Sequence, residues 1–317
     1  MSQNKEKIDN LWKANAPLTS MPDFDSFWRE CIEHSNKIPL NADMKCIASD
    51  SDNYIAYDVY FDGCDGSRIH GMLARPSQID RQIPVMLHFH GFGGNAGLPE
   101  EFKDFLDLNI CVLSIDIRGQ SGISENIYKY SSGTQGELMT LGALSKDEYY
   151  YKWVMLDCIR ALDFACTLDY TDKNMIIAEG GSQGGAITLL LTALDSRVRY
   201  CLCDVPSNCD IYSRIEGRFG SFAQVSEYIL QNPGTKEAVY TTMSYFDVIN
   251  AAGKISVPVF ASVGLLDDIC PAEFFFSAYN KISSEKQVFI YEEAGHDGGG
   301  EIHRERKINY LKAAISF

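Results

Sequence analysis

Residues Asn174 to Thr192, NMIIAEGGSQGGAITLLLT, read as a strand, a sharp turn and a helix in immediate succession. Met175 to Ala178 is the short apolar run required of a strand buried on both faces of a parallel sheet. Gly180, Gly181, Ser182, Gln183 and Gly184 then match G-x-S-x-G, a turn that thrusts a serine hydroxyl out between strand and helix. The serine of such a turn is strained and its chains pass closely, so Gly180 and Gly184 sit where a Cβ would collide. The helix that follows aims unpaired N–H groups at the turn, so negative charge developing beside Ser182 is stabilised, with the Gln183 amide as one oxyanion donor. A glycine-rich turn with an incidental serine is the plain alternative, and the rest of the chain decides between them.

Upstream, Ile83 to Phe89 is another buried strand, running into His90-Gly91-Phe92-Gly93-Gly94. This H-G-x-G turn is of the type that supplies a second oxyanion donor, here the Phe92 amide. Ile110 to Ile117 is the next strand and ends at Arg118-Gly119-Gln120, where ligands bind in open α/β sheets, although Arg118 serves equally as an ion-pair partner. Tyr200 to Val205, Pro258 to Gly264 and Gln287 to Tyr291 supply further strands, while Asp147 to Asp169 and Ile302 to Ile315 carry helical spacing. Buried strands alternating with helices predict a mostly parallel sheet with helices on both faces, and G-x-S-x-G within that pattern specifies the α/β-hydrolase fold.

The decorations are legible too. Asp23 to Ser35 predicts an amphipathic helix through Phe24, Phe27, Trp28 and Ile32, and Tyr54 to Phe61 with Ile69 to Ala74 flank DGCDGSR as a hairpin. We read residues 1–317 as one domain, with 1–50 as a helical extension and about 207–240 as a lid-like insertion near the site. Glu125 to Leu144 reads as an excursion over the sheet edge.

Composition narrows the function. The formal net charge of -15 disfavours nucleic acid or an anionic membrane as partner, because either would repel the average surface. The N-terminus lacks an apolar signal core and no apolar run spans a bilayer, so a soluble, cytoplasmic protein is expected. Most of the ten cysteines lie in apolar runs and read as core thiols; Cys201 and Cys203 lack a second ligand pair, so no metal is expected.

A serine hydroxyl needs an imidazole base, and the imidazole needs a carboxylate to fix its tautomer. Of six histidines only His296 lies in a loop after the final strand. Asp267 and Asp268 both follow the preceding strand, which completes the chain order Ser, Asp, His, and spacing does not separate the two.

With these residues in view, the chain resembles carbohydrate esterase family seven, the acetyl xylan esterases and cephalosporin C deacetylases. Arg118-Gly119-Gln120, Gly181-Ser182-Gln183-Gly184-Gly185 and the His296 motif match that family's signature segments. Tyr149-Tyr150-Tyr151, Leu202 to Pro206, Ser244 to Asp247 and Asp267 to Pro271 are similar as well. The resemblance implies Ser182 as nucleophile, His296 as base and Asp267 as acid, the Phe92 and Gln183 amides as oxyanion hole, and Arg118, Gln120 and Asp297 in support. It implies no metal or cofactor, small acetylated carbohydrates as substrates, cephalosporin C among the candidates, and a homo-oligomer, commonly a hexamer built as a trimer of dimers. Two positions depart from the pattern: Phe92 stands where the family often has Tyr, and Asp297 where it has Glu. The segments 131–141 and 208–236 also look unlike the family and are expected at the site mouth. Another acyl hydrolase of the same fold, or a non-catalytic binding protein built on it, are the alternatives; the latter's mark, loss of a triad member, is absent.

Overall fold

The computed structural model describes residues 2–47 and 52–315; positions 1, 48–51 and 316–317, among them the last part of the expected 1–50 extension, lie outside the described residues. The strands are β1 (Asp43–Ile47), β2 (Tyr54–Asp62), β3 (Arg68–Pro76), β4 (Ile83–Phe89), β5 (Cys111–Ile115), β6 (Thr171–Gly181), β7 (Val198–Asp204), β8 (Val259–Gly264) and β9 (Lys286–Tyr291). They form one sheet in the order β1-β2-β3-β5-β4-β6-β7-β8-β9. The pairings from β1 through β3 to β5 are antiparallel, and every pairing from β5–β4 to β8–β9 is parallel. The helices are α1 (Ser2–Leu11), α2 (Phe24–Ser35), α3 (Lys103–Leu106), α4 (Tyr150–Ala165), α5 (Gln183–Leu194), α6 (Ile211–Gly217), α7 (Phe222–Gln231), α8 (Lys236–Ser244), α9 (Ala272–Tyr279) and α10 (Gly300–Ile315).

Period-2 alternation divides the core between the two faces of the sheet. Val85, Leu87 and Phe89 pack with Ile159 and Leu162 of α4 and Ile187 and Leu190 of α5. Met86, Val112, Ile177 and Leu202 pack on the other side with Phe105 of α3 and Leu311 of α10. Because both faces are covered, β5 and β8 are buried at every residue, which is why they read as mostly apolar runs broken only by Ser114 and Ser262. This is the mixed, mostly parallel sheet of an α/β-hydrolase. Among the described residues no helix is long and apolar enough to cross a membrane.

Two features differ from expectation. Asp43–Ile47, expected within a helical extension, is an edge strand exposed over most of its length; its state comes from pairing with β2, which leaves no buried face to impose a pattern. The insertion after β7 continues through α8 and runs up to β8, beyond 240, because Val239 and Met243 are buried core residues that dock α8. Elsewhere Arg160 of α4 binds the carbonyls of Ser35, Ile38 and Pro39 at 3.1, 3.1 and 2.8 Å, tying the end of α2 to the sheet layer.

Candidate active site

Ser182 adopts φ 57° and ψ −117°, a left-handed conformation that a serine holds only when its surroundings impose it. The surroundings leave no choice. A Cβ on Gly184 would stand 1.7 Å from the Phe89 carbonyl oxygen, and one on Gly180 2.5 Å from the same atom. The Ser182 N–H donates to the Asp204 carbonyl at 2.9 Å, locking the turn to the end of β7, and α5 begins at Gln183.

The side chains expected to act together do meet. His296 Nε2 lies 3.0 Å from Ser182 Oγ, and His296 Nδ1 lies 2.8 Å from Asp267 Oδ2. With Asp267 accepting from Nδ1–H, the Nε2 lone pair faces the serine hydroxyl. The ambiguity between the two aspartates resolves by orientation: Asp267 is buried and its other oxygen accepts the Ile269 and Cys270 N–H groups at 2.9 and 2.8 Å, whereas Asp268 is exposed. Burial alone would raise the Asp267 carboxyl, yet His296 and these amides hold it below the ordinary carboxylate range.

The His90–Gly94 turn is built against Ser182, for a Cβ on Gly91 would come 3.8 Å from the Ser182 Cβ. Among the described residues neither the Phe92 nor the Gln183 N–H has an acceptor, so both remain available to an incoming oxygen. His90 braces this turn: its Nδ1–H donates to the Gly91 carbonyl at 2.7 Å and its Nε2 accepts the Ile117 N–H at 2.9 Å. Burial lowers its pKa, consistent with a neutral ring.

Gln120 links the His90–Gly94 turn to the Gln183 side chain. Its Oε1 accepts the Gly93 N–H at 2.6 Å, and its Nε2 donates to Gln183 Oε1 at 2.9 Å and to the Tyr150 hydroxyl at 3.0 Å. Arg118 is fully buried and bonded to Asp157 through Nε at 2.6 Å and to Asp65 through Nη1 at 2.8 Å; it holds the β2–β3 turn and α4 in place and does not line the cavity. Of its two sequence readings, the ion-pair partner is the one observed. The Asp297 carboxylate is exposed, accepts the Gly295 N–H at 3.0 Å and so closes the turn that presents His296.

Sequence reasoning marked Tyr150 and Tyr151 only as part of a family-like segment and gave them no role; their hydroxyls reach the Arg118 carbonyl at 2.7 Å and Gln183 Oε1 at 3.0 Å. It also missed Asp116, which accepts the Ala96 N–H at 2.6 Å and holds the loop after the oxyanion turn. Cys270, within the family-like segment Asp267 to Pro271, was given no role of its own: Sγ stands 4.0 Å from Ser182 Oγ and receives Arg214 Nη2 at 3.4 Å.

Ser182, His296 and Cys270 line a cavity of about 780 Å³, large enough for a small ligand. Arg214, Gly220 and Ser221 of the insertion form part of its wall, as expected for 208–236. The 131–141 segment does not line it; Met139 N–H reaches Gln224 Oε1 of α7 at 3.2 Å, so that segment braces the insertion from behind.

A strained serine elbow, an in-line histidine and carboxylate, and two free amides at the carboxyl end of a mostly parallel sheet define an α/β-hydrolase equipped for nucleophilic acyl transfer. The acetyl xylan esterase (AXE1) family model matches residues 6–314, and the chain belongs to that family. It is 35% identical to the acetyl xylan esterase from Paenibacillus sp. R4, with a TM-score of 0.93 over 96% of this chain and 98% of that one. Acetyl xylan esterase 1 from Thermoanaerobacterium sp. JW/SL YS485 superposes with a TM-score of 0.87 at 25% identity, over 95% and 98% of the two chains. The acetyl esterase Axe7A of Xylanibacter ruminicola is 30% identical over 86% of this chain, and the match spans 63% of that relative's length.

Proposed function

We propose that this protein is a serine esterase that removes acetyl groups from acetylated xylo-oligosaccharides and related small acetyl esters, cephalosporin C among them. The observation that carries the reading is the continuous chain from Ser182 Oγ through His296 to Asp267, with contacts of 3.0 and 2.8 Å. In this scheme His296 Nε2 takes the hydroxyl proton as Ser182 Oγ attacks the acetyl carbonyl carbon. The resulting oxyanion sits against the Phe92 and Gln183 amides, and Asp267 stabilises the imidazolium. His296 returns the proton to the leaving alkoxide, and water then cleaves the acetyl-enzyme by the same steps in reverse order.

Family membership supports acetyl as the acyl group, and so does the Cys270 thiol 4.0 Å from the nucleophile, since a wall that near favours a short acyl chain. Similarity also supports a homo-oligomer, proposed here as a hexamer built as a trimer of dimers. Exposed Phe92, Leu98, Leu266 and Ile269 on the loops of the oxyanion turn and the acid offer apolar surface for a neighbouring subunit. Sedimentation of a stable monomer would remove the oligomer from the account.

The test is hydrolysis of p-nitrophenyl acetate by Ser182→Ala, expected to fold normally and to lose turnover. Undiminished hydrolysis by that variant would contradict the assignment. A panel of acetylated xylo-oligosaccharides, cephalosporin C and an octanoyl ester then ranks the substrates, with the octanoyl ester expected last.

A further inference from the structure

Beneath the elbow lies a buried ionic cluster that the reaction scheme does not use. His88 follows Met86 by two residues, Glu179 follows Ile177, Asp204 follows Leu202 and Ser262 follows Phe260, so alternation turns all four toward the face covered by α10. From that helix His303 and Lys307, four residues apart, come back to meet them. Lys307 Nζ lies 2.5 Å from Glu179 Oε1 and 2.6 Å from Asp204 Oδ2. His88 Nδ1 is 2.5 Å from Glu179 Oε2, and Ser262 Oγ donates to Asp204 Oδ1 at 3.1 Å. His303 Nε2 stands 2.9 Å from Asp204 Oδ1 but out of line for a hydrogen bond, while its Nδ1 meets the Tyr291 hydroxyl at 3.1 Å. The cluster borders a side chamber of about 270 Å³ that shares His88, Asp204 and Asp297 with the catalytic cavity.

Both carboxylates belong to the frame of the nucleophile. Glu179 precedes Ser182 by three residues on β6, and the Asp204 carbonyl accepts the Ser182 N–H at 2.9 Å. The base side rests on the same ground, since a Cβ on Gly298 would come 2.8 Å from both Ser262 Oγ and Val205 Cγ1. Burial disfavours every charge here, yet mutual attraction holds the Lys307 pKa above its ordinary value and those of Glu179 and Asp204 below theirs. Stability alone is a poor reason for such a cluster, because buried ion pairs exchanged for apolar side chains of similar volume often cost nothing. Geometry is a better reason: one ammonium fixes the spacing of two strand ends.

We propose that Lys307 is a positioning residue for the nucleophile. By drawing Glu179 on β6 and Asp204 on β7 to one point it fixes the strand ends that strain the elbow, and so keeps Ser182 Oγ in line with His296. This rests on Ser182 being the nucleophile.

The test compares Lys307→Met with Glu179→Met/Lys307→Met in the full chain, reading Tm, kcat and KM for p-nitrophenyl acetate, and the rate of labelling by a fluorophosphonate. The single variant, in which the Glu179 and Asp204 carboxylates both lose their shared ammonium, is expected to lose both Tm and kcat. The double variant, which removes one of the two stranded carboxylates and leaves Asp204 to Ser262, is expected to regain part of the Tm yet stay about tenfold or more down in kcat and labelling rate, with KM nearly unchanged, as a displaced nucleophile requires. Parent-like kcat in the double variant overturns the proposal. Should that variant not fold, Lys307→Gln, which hydrogen-bonds one carboxylate without pairing both, is read in the same way, and unchanged kcat there overturns it equally. An active Ser182→Ala would instead remove the reading beneath; an inactive Ser182→Ala beside fully active cluster variants removes this proposal alone.

Discussion

Asp267 Oδ2 meets His296 Nδ1 at 2.8 Å, while Oδ1 of the same carboxylate is held by the N–H groups of Ile269 and Cys270. The carboxylate is therefore oriented by its own loop before it orients the imidazole. Asp267→Asn would offer an amide where Nδ1–H needs an acceptor and would favour the wrong tautomer. We expect kcat for p-nitrophenyl acetate to fall by roughly 10⁴-fold, with the fold kept by circular dichroism. Asp268→Asn, altering an exposed side chain, should leave kcat near the parent value.

Gln120 bridges the Gly93 N–H to the Gln183 side chain, so it sets the spacing of the Phe92 and Gln183 amides proposed to hold the oxyanion. Gln120→Ala should lower kcat by about tenfold to a hundredfold with little change in KM, because misplaced donors weaken the transition state more than the ground state. A rise in KM with kcat intact would assign Gln120 to substrate binding instead.

Two glycines near the site should respond differently to Ala. Gly184→Ala places a Cβ 1.7 Å from a backbone oxygen, and should cost more than about 3 kcal/mol or prevent folding. Gly93 has open space around it and φ +80°, so Gly93→Ala bears only backbone strain, about 1–2 kcal/mol. Thermal melts of the two variants check the ordering.

Acid should unfold the protein. Asp65, Asp116, Glu179 and Asp204 are each raised by burial, but bonded cations and N–H groups outweigh this and leave all four below their ordinary values. A carboxyl depressed in the folded state binds protons more tightly when unfolded. Its stabilisation is complete above the unfolded range near pH 4 and is lost as pH falls through the folded value. Asp157 and Asp163, which burial raises, act in the opposite sense. Tm should fall steeply below about pH 4; a Tm unchanged at pH 3 would show that these ion pairs do not hold the native state.

The parallel half of the sheet and the elbow were legible in the sequence because their causes are local. β4 and β8 are apolar except for His88 and Ser262 since both faces are covered, and the elbow carries glycines since Phe89 leaves no room for a Cβ. Asp267 and Asp268 could not be separated, because adjacent residues differ only in which side chain the loop turns inward. The edge strand β1 was hidden because an exposed strand has no buried face to impose alternation. The roles of Tyr151, Asp116 and Lys307 were hidden for another reason: each acts on a residue 20 or more positions away, and neither an apolar stretch around Asp116 nor a charged run such as HRERK around Lys307 says which partner a side chain meets.

The central claim is that Ser182 is the nucleophile, and its most direct test is to label the protein with a fluorophosphonate, digest it and locate the adduct by mass spectrometry. The adduct is expected on Ser182, with labelling abolished in Ser182→Ala and slowed while an excess of a competing acetyl ester is present. An adduct on Cys270 or another residue, or continued ester turnover by fully labelled protein, would contradict it.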